Sequence, residues 1–396
     1  MQATRASDFD PLLPETFDTA YGRADELRRG CPVAWSEAYG GFWALTRYAD
    51  VVRALGDPQT FITSVQNVVP RVAFTGRRPP LHLDPPEHTP YRAILNPLLA
   101  PERVARLEPA VRRIVRHFLA PLVRAGEGDL CEAFAAQVPV RVFGHWMRLP
   151  ADLEAALGSA APAFVRAVQS ADTEVMKSTS FVLYDMARAL IALRHGEPQD
   201  PADDPTSAIL AARIDGQPIP DAMAVGMVRQ VLVVGIVAPM VMTGSIAVHL
   251  SRDTALQDQL RRDPARCAAA VEEFLRLYTP YRGFARTARC PVRFGARDIA
   301  PGEPIALLYA SANRDDSVFP QGERFVADRP NIKDHLAFGR GAHYCAGAAL
   351  ARLELRVMLE ELLAATRGWT LLDEPVMTPF PEIGPWRVRV RLQGAG

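Results

Sequence analysis

The sequence predicts a mainly α protein with a smaller β-rich part, an α+β class in which long helices enclose one large core. Apolar residues recur at helical spacing through residues 101–124, 151–195, 221–251, 264–278 and 346–366. Strand character is confined to short runs. Residues 41–46 form the first. Residues 292–308 form the second, with Ala300-Pro301-Gly302 as a turn inside it. Residues 386–392 form the third and alternate apolar with charged side chains, the mark of a half-buried strand. The connections are rich in proline, 34 in all, and no internal repeat or low-complexity linker divides the chain.

Within this frame each helical stretch has its own character. The 221–251 stretch carries no Asp, Glu, Lys or Arg from residue 230 onward, which is long enough to span a bilayer. Gly235, Pro239, Thr243, Gly244, Ser245 and His249 interrupt that run. It therefore reads as a central helix buried on all sides of a large protein rather than a membrane span. In the 346–366 stretch, Leu350, Leu353, Val357, Leu359 and Leu362 lie near helical spacing.

Composition narrows the functional class. Hydrophobic residues make up 48% of 396, ample for one core, and no boundary is visible, so a single domain over 1–396 is expected. Basic and acidic residues balance at 45 each, which argues against a general affinity for nucleic acid or anionic membrane. Lys177 and Lys333 are the only lysines, a codon-usage mark of a GC-rich, bacterial genome. The five cysteines, Cys31, Cys131, Cys267, Cys290 and Cys345, are scattered and odd in number, as suits a reducing cytosol. Residues 1–14 lack the apolar run of a signal peptide, and the expected location is cytoplasmic.

The segment that carries chemistry is Phe338-Gly339-Arg340-Gly341-Ala342-His343-Tyr344-Cys345-Ala346-Gly347. Glycines at 339 and 341 permit tight turns that aim amide N–H groups at the cysteine sulfur. The helix that follows favours a thiolate at its N-terminus. A sulfur so held is suited to serve as the single protein ligand of a haem iron. A lone buried cysteine is ordinarily structural, but the glycine-flanked setting favours the ligand.

This segment resembles the cysteine-ligand loop of the cytochrome P-450 family, Phe-Gly-x-Gly-x-His-x-Cys-x-Gly, at every specified position. Further family landmarks follow in order over nearly the whole chain, which is most similar to the soluble bacterial type. The resemblance implies haem b as cofactor, with Cys345 as iron ligand. It implies that His88 and Arg92 (in Asp84-Pro-Pro-Glu-His88-Thr-Pro-Tyr-Arg92), Arg286 and His343 hold the haem propionates. Glu273 and Arg276 match the family's structural Glu-x-x-Arg pair, with Arg324 expected as third member and Arg329 as the alternative.

The departure from the pattern lies in the central helix. The family usually places Ala-Gly-x-Asp/Glu-Thr there, an acid and an alcohol that help deliver protons during oxygen activation. Aligned on Gly235, this chain has Val237 for the acid and Ala238 for the threonine, followed by Pro239. Thr243 and Ser245 lie more than a turn away. Proline lacks an N–H and clashes with the carbonyl four residues back, so a kink that frees the Gly235 carbonyl is expected.

The expected activity is monooxygenation (hydroxylation, epoxidation or oxidative coupling) of an organic small molecule, in a setting of bacterial secondary metabolism. Protons would come from substrate or ordered water. The alternatives are a peroxide-dependent peroxygenase, a non-oxygenating haem enzyme, and a haem-binding sensor or carrier. The resemblance implies electrons from a separate ferredoxin and ferredoxin reductase docking on the Cys345 side, where Arg112, Arg113 and Arg116 would offer a basic face. It also implies that residues 65–80, the central helix, residues 281–285 and residues 380–383 line the substrate pocket. Arg71, Arg77 and Arg78 in the first of these would suit an acidic or carrier-linked substrate.

Overall fold

Helices dominate the computed structural model, which describes residues 6–394. The predicted 151–195 stretch is two helices, Ala151–Gln169 and Thr173–Gly196. Between them Ala171 takes φ 55°, and the Asp172 carboxylate caps the second helix by accepting from the amides of Glu174 and Val175. The 101–124 stretch likewise divides into Pro101–Ala105 and Glu108–Ala125, restarting at Pro109, whose missing N–H is harmless in a first turn.

The strands gather mainly into one five-stranded sheet ordered Val33–Ser36, Phe42–Leu45, Pro304–Leu307, Ala285–Ala288 and Phe61–Ile62. Its two faces follow the period of two: Trp43, Leu45, Ile305 and Leu307 enter one small core, while Phe42, Ala44 and Ala306 enter another. The predicted 292–308 run turns once more than expected. Val292–Phe294 and Arg297–Ile299 form a hairpin of their own, turning at Gly295 with φ 55°, before Pro304–Leu307 joins the large sheet. The 386–392 run is split at Val388, because Pro385–Arg387 and Arg389–Gly394 pair with different partners. The main core lies among the helices, around Phe134, Met227, Val248, Phe274 and Leu355.

The central apolar run of Asp221–Arg252 is long and apolar enough to cross a membrane, yet 67% of its most apolar window is buried inside the protein. It is not one helix. Asp221–Val233 ends where Val234 turns extended, Gly235 takes φ +80°, and Val237–Arg252 begins anew. A Cβ at Gly235 would stand 2.6 Å from the Phe143 ring, so both backbone angle and space require glycine. The expected kink at Pro239 is therefore a full break placed earlier, and Pro239 occupies the first turn of the second helix, where its missing donor costs little.

The structural Glu-x-x-Arg pair is buried. Arg276 donates from Nε and Nη2 to both Glu273 carboxylate oxygens at 2.8 Å, and from Nη1 to the Asn313 and Gly322 carbonyls at 2.7 Å. The third member is Arg329, whose Nε lies 3.1 Å from Glu273 Oε1. Arg324, the residue expected there, contributes only its backbone carbonyl, to Arg276 Nη2 at 2.9 Å, and its side chain points to solvent.

Candidate functional site

Both glycines of the cysteine loop adopt left-handed backbone, Gly339 with φ +67° and Gly341 with φ +73°. A Cβ at Gly341 would meet the Leu55 carbonyl at 2.6 Å, so the loop rests directly on the chain beneath it. The Cys345 amide donates to the Phe338 carbonyl at 2.9 Å, closing the loop on itself. The following helix runs Ala348–Ala365, two residues later than predicted, with Gly347 at its N-cap. The Cys345 side chain keeps accessible surface, yet burial pushes its thiol upward, while the Gly347 N–H and the cations Arg92 and Arg352 oppose that rise. The sulfur thus has one backbone donor and the field of two nearby cations to favour its thiolate.

The residues predicted to bind an anion beside this loop come together from three segments. His88 opens the His88–Leu95 helix and packs its ring against His343, with centroids 4.4 Å apart. His343 Nε2 lies 3.2 Å from Thr63 Oγ1, which itself donates to Asp84 Oδ1 at 3.0 Å. Arg286, buried on the Ala285–Ala288 strand, hydrogen-bonds Tyr309 and donates to the Ala285 carbonyl at 2.8 Å. Arg92 turns toward the cysteine loop, donating to the Tyr344 carbonyl, and from Nε to Asn96 Oδ1 at 2.6 Å. Burial first, then Arg286 and His88, hold the His343 imidazole down to about 3, so it is neutral near pH 7. His88 Nε2 is buried with no hydrogen-bond partner.

Such a cluster is short of negative charge. Two guanidinium groups and an orphaned imidazole nitrogen converge where an anion would satisfy all three. A haem propionate fits that donor set, and a cysteine thiolate fits the iron. Thr63, Asp84 and Tyr309 orient these residues. Sequence reasoning missed them because nothing near them in the chain marks the partner.

At the start of the Val237–Arg252 helix, the residues that align with the family's acid–alcohol pair carry no titratable atom. Val237 and Ala238 are half-buried and Pro239 is buried. The nearest hydroxyls are engaged: Thr243 Oγ1 donates to the Pro239 carbonyl and Ser245 Oγ to the Val241 carbonyl, both at 2.8 Å. Each hydroxyl proton is thus already donated to a backbone carbonyl of the same helix.

The predicted pocket segments also converge. Val69 N donates to the Gly283 carbonyl at 2.9 Å, and Arg282 N to the Pro381 carbonyl at 3.0 Å. A Cβ on Gly384 would stand 3.1 Å from Ser245 Oγ, so the 380–383 turn abuts the central helix. The basic face predicted for partner docking is altered. Arg112 is tied to Glu108, Glu360 and Glu361, and Arg116 to Glu361, all at 2.7–2.8 Å, which leaves Arg113 exposed and without those carboxylates.

Comparison with known proteins agrees with this geometry. The family model described as "Cytochrome P450" matches residues 261–367, the span from the Glu273–Arg276 pair through the cysteine loop. The chain is 31% identical over 363 residues to the erythromycin C-12 hydroxylase of Saccharopolyspora erythraea, covering 88% of this chain and 90% of that one. It is 30% identical over 370 residues to the linalool 8-monooxygenase of Pseudomonas putida, covering 88% and 89%. Its fold superposes on the cytochrome P450 CYP109Q5 of Chondromyces apiculatus with a TM-score of 0.88 at 28% identity, covering 98% of this chain and 99% of that one. With likeness of this extent running through both the cysteine loop and the fold around it, this chain belongs to the cytochrome P450 family of haem-thiolate oxidoreductases.

Proposed function

We propose that this protein is a monooxygenase that inserts oxygen into, or oxidatively couples, an organic small molecule. It would use haem b ligated by Cys345, and electrons from a separate ferredoxin and ferredoxin reductase in the cytoplasm. The observation that supports the reading is the pairing of the Cys345 loop with the cluster of His88, Arg92, Arg286 and His343, and the chain 1–396 is taken as one haem domain. When bound, the haem supplies the oxygen and one-electron chemistry. The chain's part is to hold the thiolate with the Gly347 amide and two cations, neutralise the propionates, and exclude bulk water with the apolar Val237–Pro239 turn.

Removing either anchor tests the haem assignment. Arg286→Ala should lower haem occupancy of the purified protein and speed haem release roughly tenfold or more, because a buried propionate then loses a charge-assisted hydrogen bond. Unchanged occupancy and release in both Arg286→Ala and Arg92→Ala would reject the anchoring roles.

Proton delivery is the unusual feature. With no acid or alcohol at 237 and 238, we assign it to substrate or ordered water, aided by the Gly235 carbonyl, which has no Pro239 N–H to accept from. Coupling of NADPH oxidation to product should then be high with the true substrate and poor with surrogates, which leak hydrogen peroxide. Ala238→Thr should change coupling with surrogates more than with the true substrate. Efficient turnover on added peroxide, with no product from the reductase system, would instead establish a peroxygenase.

A further inference from the structure

Eight arginines are buried among the described residues, and five of them meet a carboxylate. Arg28 and Arg314 share Asp25, Arg194 holds Asp204, and Arg276 and Arg329 hold Glu273. Three do not: Arg286, assigned above to a propionate, and Arg78 and Arg229. A buried guanidinium without a counter-charge is costly enough that its presence asks for an anion.

Arg78 and Arg229 form one cluster. Arg229, on the Asp221–Val233 helix, is 0% exposed, and Arg78, in the loop that crosses that helix, is 5% exposed. The loop can lie there because residue 226 is glycine: a Cβ would stand 2.1 Å from the Arg77 carbonyl. Arg229 donates from Nη2 to Ser180 Oγ at 2.9 Å, and its Nε and Nη1 have no partner. Its guanidinium stacks 4.5 Å from the Phe164 ring centroid and lies 5.6 Å from that of Tyr184. The Tyr184 hydroxyl is also buried without a partner, as is Arg78 Nε. Arg78 Nη2 meets His82 Nε2 at 2.6 Å. Burial, then Arg78 and Arg229, push the His82 imidazole down to about 3, so it adds no charge and accepts from Arg78. The cluster thus holds two cations and four orphaned donor atoms, with no Asp or Glu bonded to either arginine.

We propose that Arg78, Arg229 and Tyr184 form a recognition site for the carboxylate of an organic-acid substrate, whose carbon chain runs along the central helix toward Gly235. Arg229 precedes Val233, the last residue of its helix, by four residues, roughly 6 Å at 1.5 Å per residue, and Gly235 lies two residues beyond. A medium-length acid therefore reaches from the guanidinium pair to the helix break. Arg71 and Arg77 are exposed, and Arg77 pairs with Glu87, so they are not part of it. The assignment of the acid as substrate rests on the monooxygenase reading; the anion site itself does not.

The test uses the purified holoenzyme with decanoate and hydrocinnamate, each against its methyl ester, alongside inorganic phosphate and chloride. Binding is read by the shift of the haem spectrum and independently by the thermal unfolding midpoint. At least one acid should bind about tenfold or more tighter than its ester, the effect of a charge-assisted hydrogen bond. Arg229→Met and Arg78→Met should each reduce that acid to the affinity of its ester, whereas Arg229→Lys retains part of the preference. Without ligand, Arg229→Met should raise the unfolding midpoint, because a buried unmatched charge is removed. Equal binding of both acids and their esters by wild type overturns the proposal, as does an undiminished acid preference in both methionine variants. Stabilisation by phosphate or chloride equal to that by the acids assigns the cluster to an inorganic ion and also overturns it. If the haem reading alone is wrong, the thiolate spectrum is missing while the acids still raise the midpoint. Should one methionine variant fail to fold, the other carries the comparison.

Discussion

Cys345→Ser should abolish the strongly red-shifted Soret band of the reduced, carbon-monoxide-bound protein. The effect is all-or-none, because the band depends on electron donation from a thiolate that a serine hydroxyl cannot match. The other four cysteines provide the control. Cys31, Cys131, Cys267 and Cys290 changed singly to serine should keep the band. Cys131 and Cys267 are fully buried, and Cys131 Sγ packs 2.9 Å from where a Gly244 Cβ would stand, so those two variants should lose stability but not the band. A normal band in Cys345→Ser would remove the basis for every assignment around it.

Glu273→Gln should destabilise the fold by about 3–5 kcal/mol, the cost of leaving buried charges without their partner. Glu273 is 2% exposed and neutralises both Arg276 and Arg329, and its Oε1 also accepts from the Val326 amide at 2.9 Å. The substitution strands two guanidinium groups that already hold backbone carbonyls from residues 313 to 324. The chain that leads into the cysteine loop is pinned through these carbonyls, so haem retention should fall together with the urea midpoint. Arg329→Met should approach the same loss, whereas Arg324→Met should stay within about 0.5 kcal/mol, as for an exposed side chain without partners. Equal effects at 324 and 329 would contradict the triad as described.

How much of this was readable beforehand depends on how far apart the cooperating residues lie in the chain. The cysteine loop was legible because its requirements are local: left-handed backbone at Gly339 and Gly341, and a helix start just beyond Cys345. The mainly helical class was legible for the same reason, since a helix announces itself over a few turns of periodic apolar residues. His88, Arg92, Arg286 and His343 were nameable through resemblance to a family, and the structure brings their segments together.

Periodicity also misled where the chain keeps its pattern but breaks its backbone. The 151–195 and 221–251 stretches each read as one helix, because apolar spacing continues across Ala171 and Gly235. What ends those helices is a single residue with positive φ, which leaves no trace in hydropathy. At Gly235 the proline drew attention to the right place but to the wrong cause, since the Phe143 ring and the glycine angle set the break.

By itself, then, the sequence determined the fold class, the position of the cysteine loop and the lack of an acid or alcohol at 237 and 238, because each is a property of consecutive or regularly spaced residues. Tertiary structure alone decided which arginine completes the Glu273 pair, which cations of the 108–116 helix are already engaged, and that Arg78 lies against Arg229. Those are choices among chemically equivalent guanidinium groups, and they are made by which carboxylates and carbonyls the packed chain brings within hydrogen-bond reach. An arginine's charge is written in the sequence, whereas its partner, or the lack of one, exists only once the chain has folded.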